Sequence, residues 1–104
     1  MPNFIFAYHG GTTPTDPAEI ERVMGEWGAW FENMGSAVVN PGNPVGKSST
    51  VFKDHVEDNG GANPISGYTV VSAETMDDAT RMAQACPMVK DGSGSVEVAE
   101  IHEM

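Results

Sequence analysis

The sequence predicts an α+β domain in which two helices cover one face of a four-stranded antiparallel sheet. Three observations lead to this prediction. Residues alternate with a period of two in Asn3–His9 and Gly67–Ala73, which is typical of strands. Two other segments repeat their apolar residues at helical spacing and begin at capping sequences, at Asp16 and Thr75. The elements alternate along one short chain, which indicates a single α+β domain.

The first strand, Asn3–His9, is rich in aromatic residues and is ended by Gly10-Gly11. Its alternation predicts two sets of side chains on opposite faces, Phe4, Phe6 and Tyr8 on one and Ile5, Ala7 and His9 on the other.

The first helix is predicted over Pro17–Met34. Asp16 is its cap, Pro17 fits the first helical position, Glu19 completes a capping box, and Gly35 ends it. An apolar stripe follows along this helix, formed by Ile20, Val23, Met24, Trp27, Phe31 and Met34. Trp27 lies on the axis of the stripe, so we expect it in the core. Trp30 lies off that axis, which favours a place at an interface or a pocket rim.

The rest of the chain predicts shorter elements. Ala37–Val39 and Ser49–Lys53 are short strands, and the acidic, glycine-rich segment Asp54–Pro64 is a turn or loop. Thr75-Met76-Asp77-Asp78 begins a second helix that turns Met76, Ala79, Met82 and Ala83 inward and ends at Cys86-Pro87. The last strand is Ser95–Ile101.

This order gives the βαββαβ pattern of ferredoxin-like α+β domains. With both helices on one face, the other face of the sheet still carries apolar residues. A second copy of the chain is the simplest cover for it, so the sequence predicts a homodimer packed through the sheet.

Composition excludes several classes of function. The chain has 104 residues and a formal net charge of -10, and an acidic protein repels nucleic acid and anionic membranes. The apolar run that ends at Tyr8 is too short for a signal sequence, and no run is long enough to span a membrane. The lone cysteine, Cys86, suits a reducing compartment. We therefore expect a cytoplasmic protein.

Three motifs predict no chemistry on closer inspection. Gly46-Lys47-Ser48 lacks the earlier glycine that a phosphate-binding loop needs, since position 41 is Pro. A calcium loop aligned on Gly60 would place His55 and Ser66 at essential ligand positions, where neither residue can serve as the ligand. Cys86 lies at the end of a helix, where the helix dipole disfavours a thiolate. We expect no metal, no cofactor and no redox function of the thiol.

A small-molecule pocket is predicted between sheet and helix. His9 ends a strand beside two glycines, which let a ligand approach the backbone. Trp30 is the expected aromatic wall, and Lys53, Asp54 and His55 are the charged and polar groups expected nearby. The alternative for His9 is a structural role, in which it only hydrogen-bonds the loop that it introduces.

Residues Gly67–Ile101 carry a recognisable arrangement. It consists of Gly-Tyr-Thr-Val-Val-Ser-Ala-Glu-Thr, Met-Asp-Asp-Ala-Thr-Arg-Met-Ala, Cys-Pro, and a Gly-Ser turn before Ser-Val-Glu-Val-Ala-Glu-Ile. This arrangement resembles the C-terminal half of the YCII-related (DGPF-domain) family, and the strand ending in Gly-Gly and the tryptophan-bearing helix ending at Gly35 also fit. The resemblance implies a ferredoxin-like fold that dimerises as an α/β barrel.

The resemblance implies no catalytic residue here. One branch of the family is proposed to use a His on the first helix and an Asp before a Pro, but this chain has Trp27 and Cys86 at those positions. The Asp-Gly-Pro-Phe signature is also missing, because the corresponding region, near Asp58–Pro64, reads Asp-Asn-Gly-Gly-Ala-Asn-Pro. Some relatives are linked to extracytoplasmic-function sigma factors.

Two functions therefore remain open from the sequence. One is a dimer that binds a small molecule between sheet and helix. The other is a non-catalytic interaction or regulatory module of the sigma-factor-associated type, whose acidic surface binds a basic protein patch. A deep pocket in which His9 and His55 meet would favour the first function. A filled interior with both histidines in solvent would favour the second.

Overall fold

The computed structural model describes residues 1–104 and contains six strands and three helices. The strands are Asn3–Gly10 (β1), Val38–Asn40 (β2), Ser49–Val51 (β3), Val56–Asp58 (β4), Ile65–Ser72 (β5) and Gly94–Ile101 (β6). The helices are Pro17–Met34 (α1), Met76–Gln84 (α2) and Pro87–Lys90 (α3), and a short 3-10 turn at Gly35–Ala37 follows α1. No helix combines the length and the apolar composition that a membrane crossing needs.

Four strands form one antiparallel sheet in the order β2-β5-β1-β6, with helices on one face. This confirms the predicted ferredoxin-like α+β class. The helices begin where the capping sequences predict: the Asp16 carboxylate accepts from the Ala18 N–H, and the Thr75 hydroxyl accepts from the Asp78 N–H. Glu19 does not complete the predicted capping box. Its carboxylate accepts hydrogen bonds from Arg22 instead, and these hold the pKa of that carboxyl below its usual range.

The two faces of the sheet differ in burial. The face beneath the helices, called here the covered face, presents Phe4, Phe6, Tyr8, Thr69 and Val71, which are all buried. The other, called the open face, presents Ile5, Ala7, His9, Tyr68, Val70, Glu97, Ala99 and Ile101, all only partly covered or exposed. Strand register aligns Val70, Ile5 and Ala99 across three strands, so the middle of the open face is apolar.

Three local predictions are corrected. Ser49–Val51 lies outside the main sheet and pairs instead with Val56–Asp58, a segment predicted as loop. The second helix ends at Gln84 and is followed by the short helix α3, which starts at Pro87. Met76, the first residue of α2, is 44% exposed, whereas Ala79 and Ala83 are buried as predicted.

Candidate functional site

A cavity of about 490 Å³ lies between α1 and the end of the sheet where β1 finishes and β5 begins. It is lined by Tyr8, Gly10–Thr13, Trp27, Phe31, Pro41–Val45, Ser66–Thr69 and Met88. Its volume falls within the range usual for small-molecule sites. None of the lining residues is charged, although the whole chain carries a net charge of -10.

Three aromatic rings form one wall of this cavity. The Tyr8 and Trp27 rings meet edge to face with centroids 5.3 Å apart, and Phe31 lies 6.3 Å from Trp27. Trp27 and Phe31 are one helical turn apart on α1, so a single helix face presents both rings to the sheet. The wall is therefore apolar and aromatic, and it suits a ligand with an aromatic ring.

A buried chain of hydrogen bonds lies beside the aromatic wall. The Tyr8 hydroxyl is 2.6 Å from the Thr69 hydroxyl, and the Thr69 hydroxyl donates to the carbonyl of Pro41 at 2.8 Å. Burial raises the pKa of the Tyr8 phenol, and the nearby Cys86 raises it further against the opposing effect of the Thr69 hydrogen bond. The phenol is therefore neutral at physiological pH.

The segment Pro41–Val45 also lines the cavity and is held against β5. Val45 N–H donates to the Ser66 carbonyl, and Tyr68 N–H donates to the Asn43 carbonyl. Gly42 has a φ of 70°, and a Cβ there would stand 1.8 Å from the Tyr68 carbonyl oxygen. Only glycine fits this position, so the sequence holds the loop against β5 by leaving out a side chain.

One polar atom beside the cavity has no partner. The Ser66 hydroxyl is buried and makes no hydrogen bond. Ser66 is the extra residue of an irregularity in which Tyr8 pairs with Gly67 and His9 pairs with Ile65. A buried hydroxyl without a partner is costly, so a group that binds in the cavity and pairs with it would gain from doing so.

His9 lies on the open face, away from the cavity. Its Nδ1 is 3.0 Å from the Asn63 carbonyl oxygen and donates to it, and its Nε2 is 3.0 Å from a carboxylate oxygen of Glu97. These contacts tie the end of β1 to the loop before β5 and to β6. The bonds of His9 are thus structural, but they reach the loop before β5 and not the loop that His9 introduces.

Trp30 and Trp27 have exchanged the places expected for them. Trp30 is 4% exposed, stacks on Phe6 at 6.1 Å, and its indole N–H donates to the Met82 carbonyl, so it is a core residue. Trp30 also borders a groove of about 640 Å³ between α1 and α2–α3. The apolar stripe is wider than one residue, and packing against the middle strand rotates α1 so that Trp30 faces inward.

Lys53, Asp54 and His55 lie in the exposed turn between β3 and β4. His55 bonds the carboxylates of Asp54 and Glu57 and stacks on Phe52 with ring centroids 4.5 Å apart. No hydrogen bond or ion pair connects this turn to His9 or Trp30. The structure therefore does not bring the five predicted pocket residues together.

Cys86 is fully buried, and burial raises the pKa of its thiol. Because Cys86 comes directly before α3, two backbone N–H groups of that short helix approach the sulfur and oppose the shift without reversing it. The thiolate is disfavoured, as predicted, and the cause is burial. No group of three or more His, Cys, Asp or Glu side chains converges as metal ligands would.

The sequence predicted a ligand beside Gly10-Gly11, which line the cavity, but it did not predict the aromatic and hydroxyl side chains there. Two signals for them were present. Thr69 is a polar residue on the face of β5 that otherwise carries Gly67, Val71 and Ala73. Tyr8 is the only polar-tipped ring among the aromatic residues of the covered face of β1. A polar group on an apolar strand face requires a partner or a ligand.

Comparison with known proteins bears on the fold. No family model and no curated protein sequence matches this chain. Among solved structures, the chain is similar to 5-chloro-2-hydroxyhydroquinone dehydrochlorinase (TftG) from Burkholderia phenoliruptrix AC1100, solved in complex with 2,5-dihydroxybenzoquinone. The two are 15% identical with a TM-score of 0.60, and the match covers 100% of this chain and 96% of the other. This protein and the dehydrochlorinase thus share one fold, although few of their residues are identical.

Proposed function

We propose that this protein binds a small planar molecule in the cavity between α1 and the sheet. The observation that carries this proposal is an aromatic-walled, uncharged cavity in a strongly acidic chain. A neutral site of this kind favours neutral aromatic ligands, because a charged ligand would lose its hydration without gaining an ion pair. The similar fold of a protein solved with a quinone in complex supports a small-ring ligand.

The residues that a single chain places around the cavity favour ligand binding over acid-base catalysis. Proton transfer needs a group that changes protonation near the working pH. The only titratable residues that line the cavity are Tyr8 and Tyr68, and Tyr68 lies on the open face of β5. Burial raises the pKa of Tyr8 away from that range. The function proposed here is therefore recognition of a ligand, with no reaction assigned to it.

Thermal-shift and calorimetric titrations with phenol and hydroquinone test this proposal. Saturation at a hundred times Kd stabilises the folded protein by about 2.7 kcal/mol. Trp27→Ala removes the centre of the aromatic wall and should abolish binding, whereas Phe52→Ala, an aromatic residue of the exposed β3–β4 turn, should leave it unchanged. Failure of the wild-type protein to bind either probe would refute the proposal.

We also propose that the protein is a homodimer packed through the open face. The chain exposes 7022 Å², whereas a folded monomer of 11.0 kDa exposes about 5,600 Å². The excess of accessible surface is larger than the roughly 800 Å² that each partner contributes to a standard interface. The apolar row Val70, Ile5 and Ala99 supports the open face as the part that a second copy covers.

Sedimentation at micromolar concentration tests the dimer. The wild-type protein should have the mass of two chains, and Val70→Asp should have the mass of one because it buries a charge in the interface. Val51→Asp, at an exposed position of β3, is the matched control and should remain dimeric. A wild-type protein with the mass of one chain would exclude the dimer.

The resemblance to the YCII-related family is retained as a proposal, together with the cytoplasm as the location. The shared fold and the residues of Gly67–Ile101 support the first, and the single unpaired Cys86 supports the second. In this proposal the chain is a member in which the family's catalytic pair is replaced. Trp27, at the position of the missing His, is instead a wall of the cavity.

A further inference from the structure

The hydrogen bonds at the cavity have only one possible direction. The Pro41 carbonyl oxygen accepts and cannot donate, so the single hydroxyl hydrogen of Thr69 is used in the 2.8 Å bond to it. The 2.6 Å bond between Tyr8 and Thr69 therefore receives its hydrogen from Tyr8. The order is Tyr8 to Thr69 to Pro41, fixed by the carbonyl at the end.

This order decides what Tyr8 has left to offer. Its one hydrogen is used, and its hydroxyl oxygen makes no other hydrogen bond in the chain. A phenol that has donated its hydrogen can still accept, so the remaining capacity of Tyr8 is that of an acceptor. Because burial keeps this phenol neutral, it accepts as a neutral oxygen and does not attract a cation by charge.

We propose that the cavity selects neutral planar ligands with a ring hydroxyl group, which donates its hydrogen bond to the Tyr8 oxygen while the ring lies against Trp27. The chemical class is that of phenols and hydroquinones. This inference rests on the proposed binding function and names the ligand class of the same cavity.

Two probes with the same ring distinguish donor from acceptor ligands. Hydroquinone carries two hydroxyl hydrogens, whereas 1,4-dimethoxybenzene keeps both oxygens but has no hydrogen to donate. The quantity measured is the ratio of their two affinities, by calorimetry, in each protein. Differences in size and solubility between the probes cancel when this ratio is compared between the wild-type protein and a variant.

Tyr8→Phe removes the proposed acceptor and keeps the ring. We expect the affinity ratio that favours hydroquinone to fall by about three- to tenfold, the effect of one neutral hydrogen bond. Thr69→Val provides a second test, because it frees the Tyr8 hydrogen to bond an ether oxygen and should lower the same ratio. His9→Ala, on the open face, should leave the ratio unchanged.

The outcomes separate this inference from the function on which it rests. If both probes bind and neither Tyr8→Phe nor Thr69→Val changes the ratio, the assigned ligand class is wrong, although the cavity binds small rings. If neither probe binds the wild-type protein, the proposed function itself fails. If Tyr8→Phe does not fold, Thr69→Val alone decides the question.

Discussion

Tyr8 and His9 are neighbours in the chain and have opposite surroundings. Tyr8 is 6% exposed on the covered face, in an uncharged cavity walled by aromatic rings. His9 lies on the open face, where it bonds backbone carbonyls and the carboxylate of Glu97. The pleat of a strand directs successive side chains to opposite faces of the sheet. A candidate site residue that is chosen one position too far along the strand therefore lies on the wrong face.

The largest expected difference between the faces is in stability. Phe6 is fully buried and stacks on Trp30, so Phe6→Ala should lower the free energy of unfolding by about 3–5 kcal/mol. Ile5→Ala, one residue away on the open face, should cost about 1–2 kcal/mol in the dilute monomer because Ile5 is only partly covered. Urea denaturation measures both values, and equal losses would show that the faces are not different.

The next effect concerns the loop that lines the cavity and is held against β5. Gly42→Ala places a Cβ against the Tyr68 carbonyl at a positive φ and should cost about 2 kcal/mol or more. Gly46→Ala is the matched control, since a Cβ there meets nothing within 4 Å. Hydroquinone binding should weaken in the first variant alone. A fully stable Gly42→Ala protein would mean that the loop is not held against β5.

Alkaline pH provides a further comparison of the faces, because only the covered face buries a phenol. Burial raises the pKa of Tyr8, so the folded protein keeps it protonated to higher pH than the unfolded chain does. The stability that the protonated phenol contributes is fully present below a pH of about 10 and is lost as the pH rises further. Stability should therefore fall more steeply above that pH in the wild-type protein than in Tyr8→Phe. Parallel curves would mean that the phenol is not desolvated.

His9→Ala should have the smallest effect. It removes bonds between the end of β1 and its neighbours, so the free energy of unfolding should fall by about 0.5–1.5 kcal/mol, and the melting temperature should fall with it. Affinity for hydroquinone should stay the same, because His9 does not line the cavity. A loss of binding with an unchanged melting temperature would place the site on the open face.

The sequence predicted the sheet and both long helices because their signals are local. Alternation in Asn3–His9 and the cap at Asp16 depend on adjacent residues, and α1 spans the predicted Pro17–Met34. The strand Val56–Asp58 was missed because its pairing with β3 extends two acidic residues into solvent, where no apolar pattern marks it.

The site was harder to predict because it depends on how distant segments pack. The rotation of α1 decides whether Trp27 or Trp30 faces the cavity, and the middle strand sets that rotation. Thr69 meets the Pro41 carbonyl only because a loop from a distant part of the chain folds over β5. The predicted pocket included histidine and lysine because these residue types are reactive, whereas the cavity is built from a phenol, hydroxyls and aromatic rings.

Intermolecular nuclear Overhauser effects from bound hydroquinone test the central claim, that the ligand lies on the covered side at the end of β1. The account predicts contacts from the hydroquinone ring protons to the Trp27 ring and the Met88 methyl group, which both line the cavity. It predicts none to the His9 ring or to Ala99. Contacts to His9 and Ala99, with none to Trp27, would contradict the account and place the ligand on the open face.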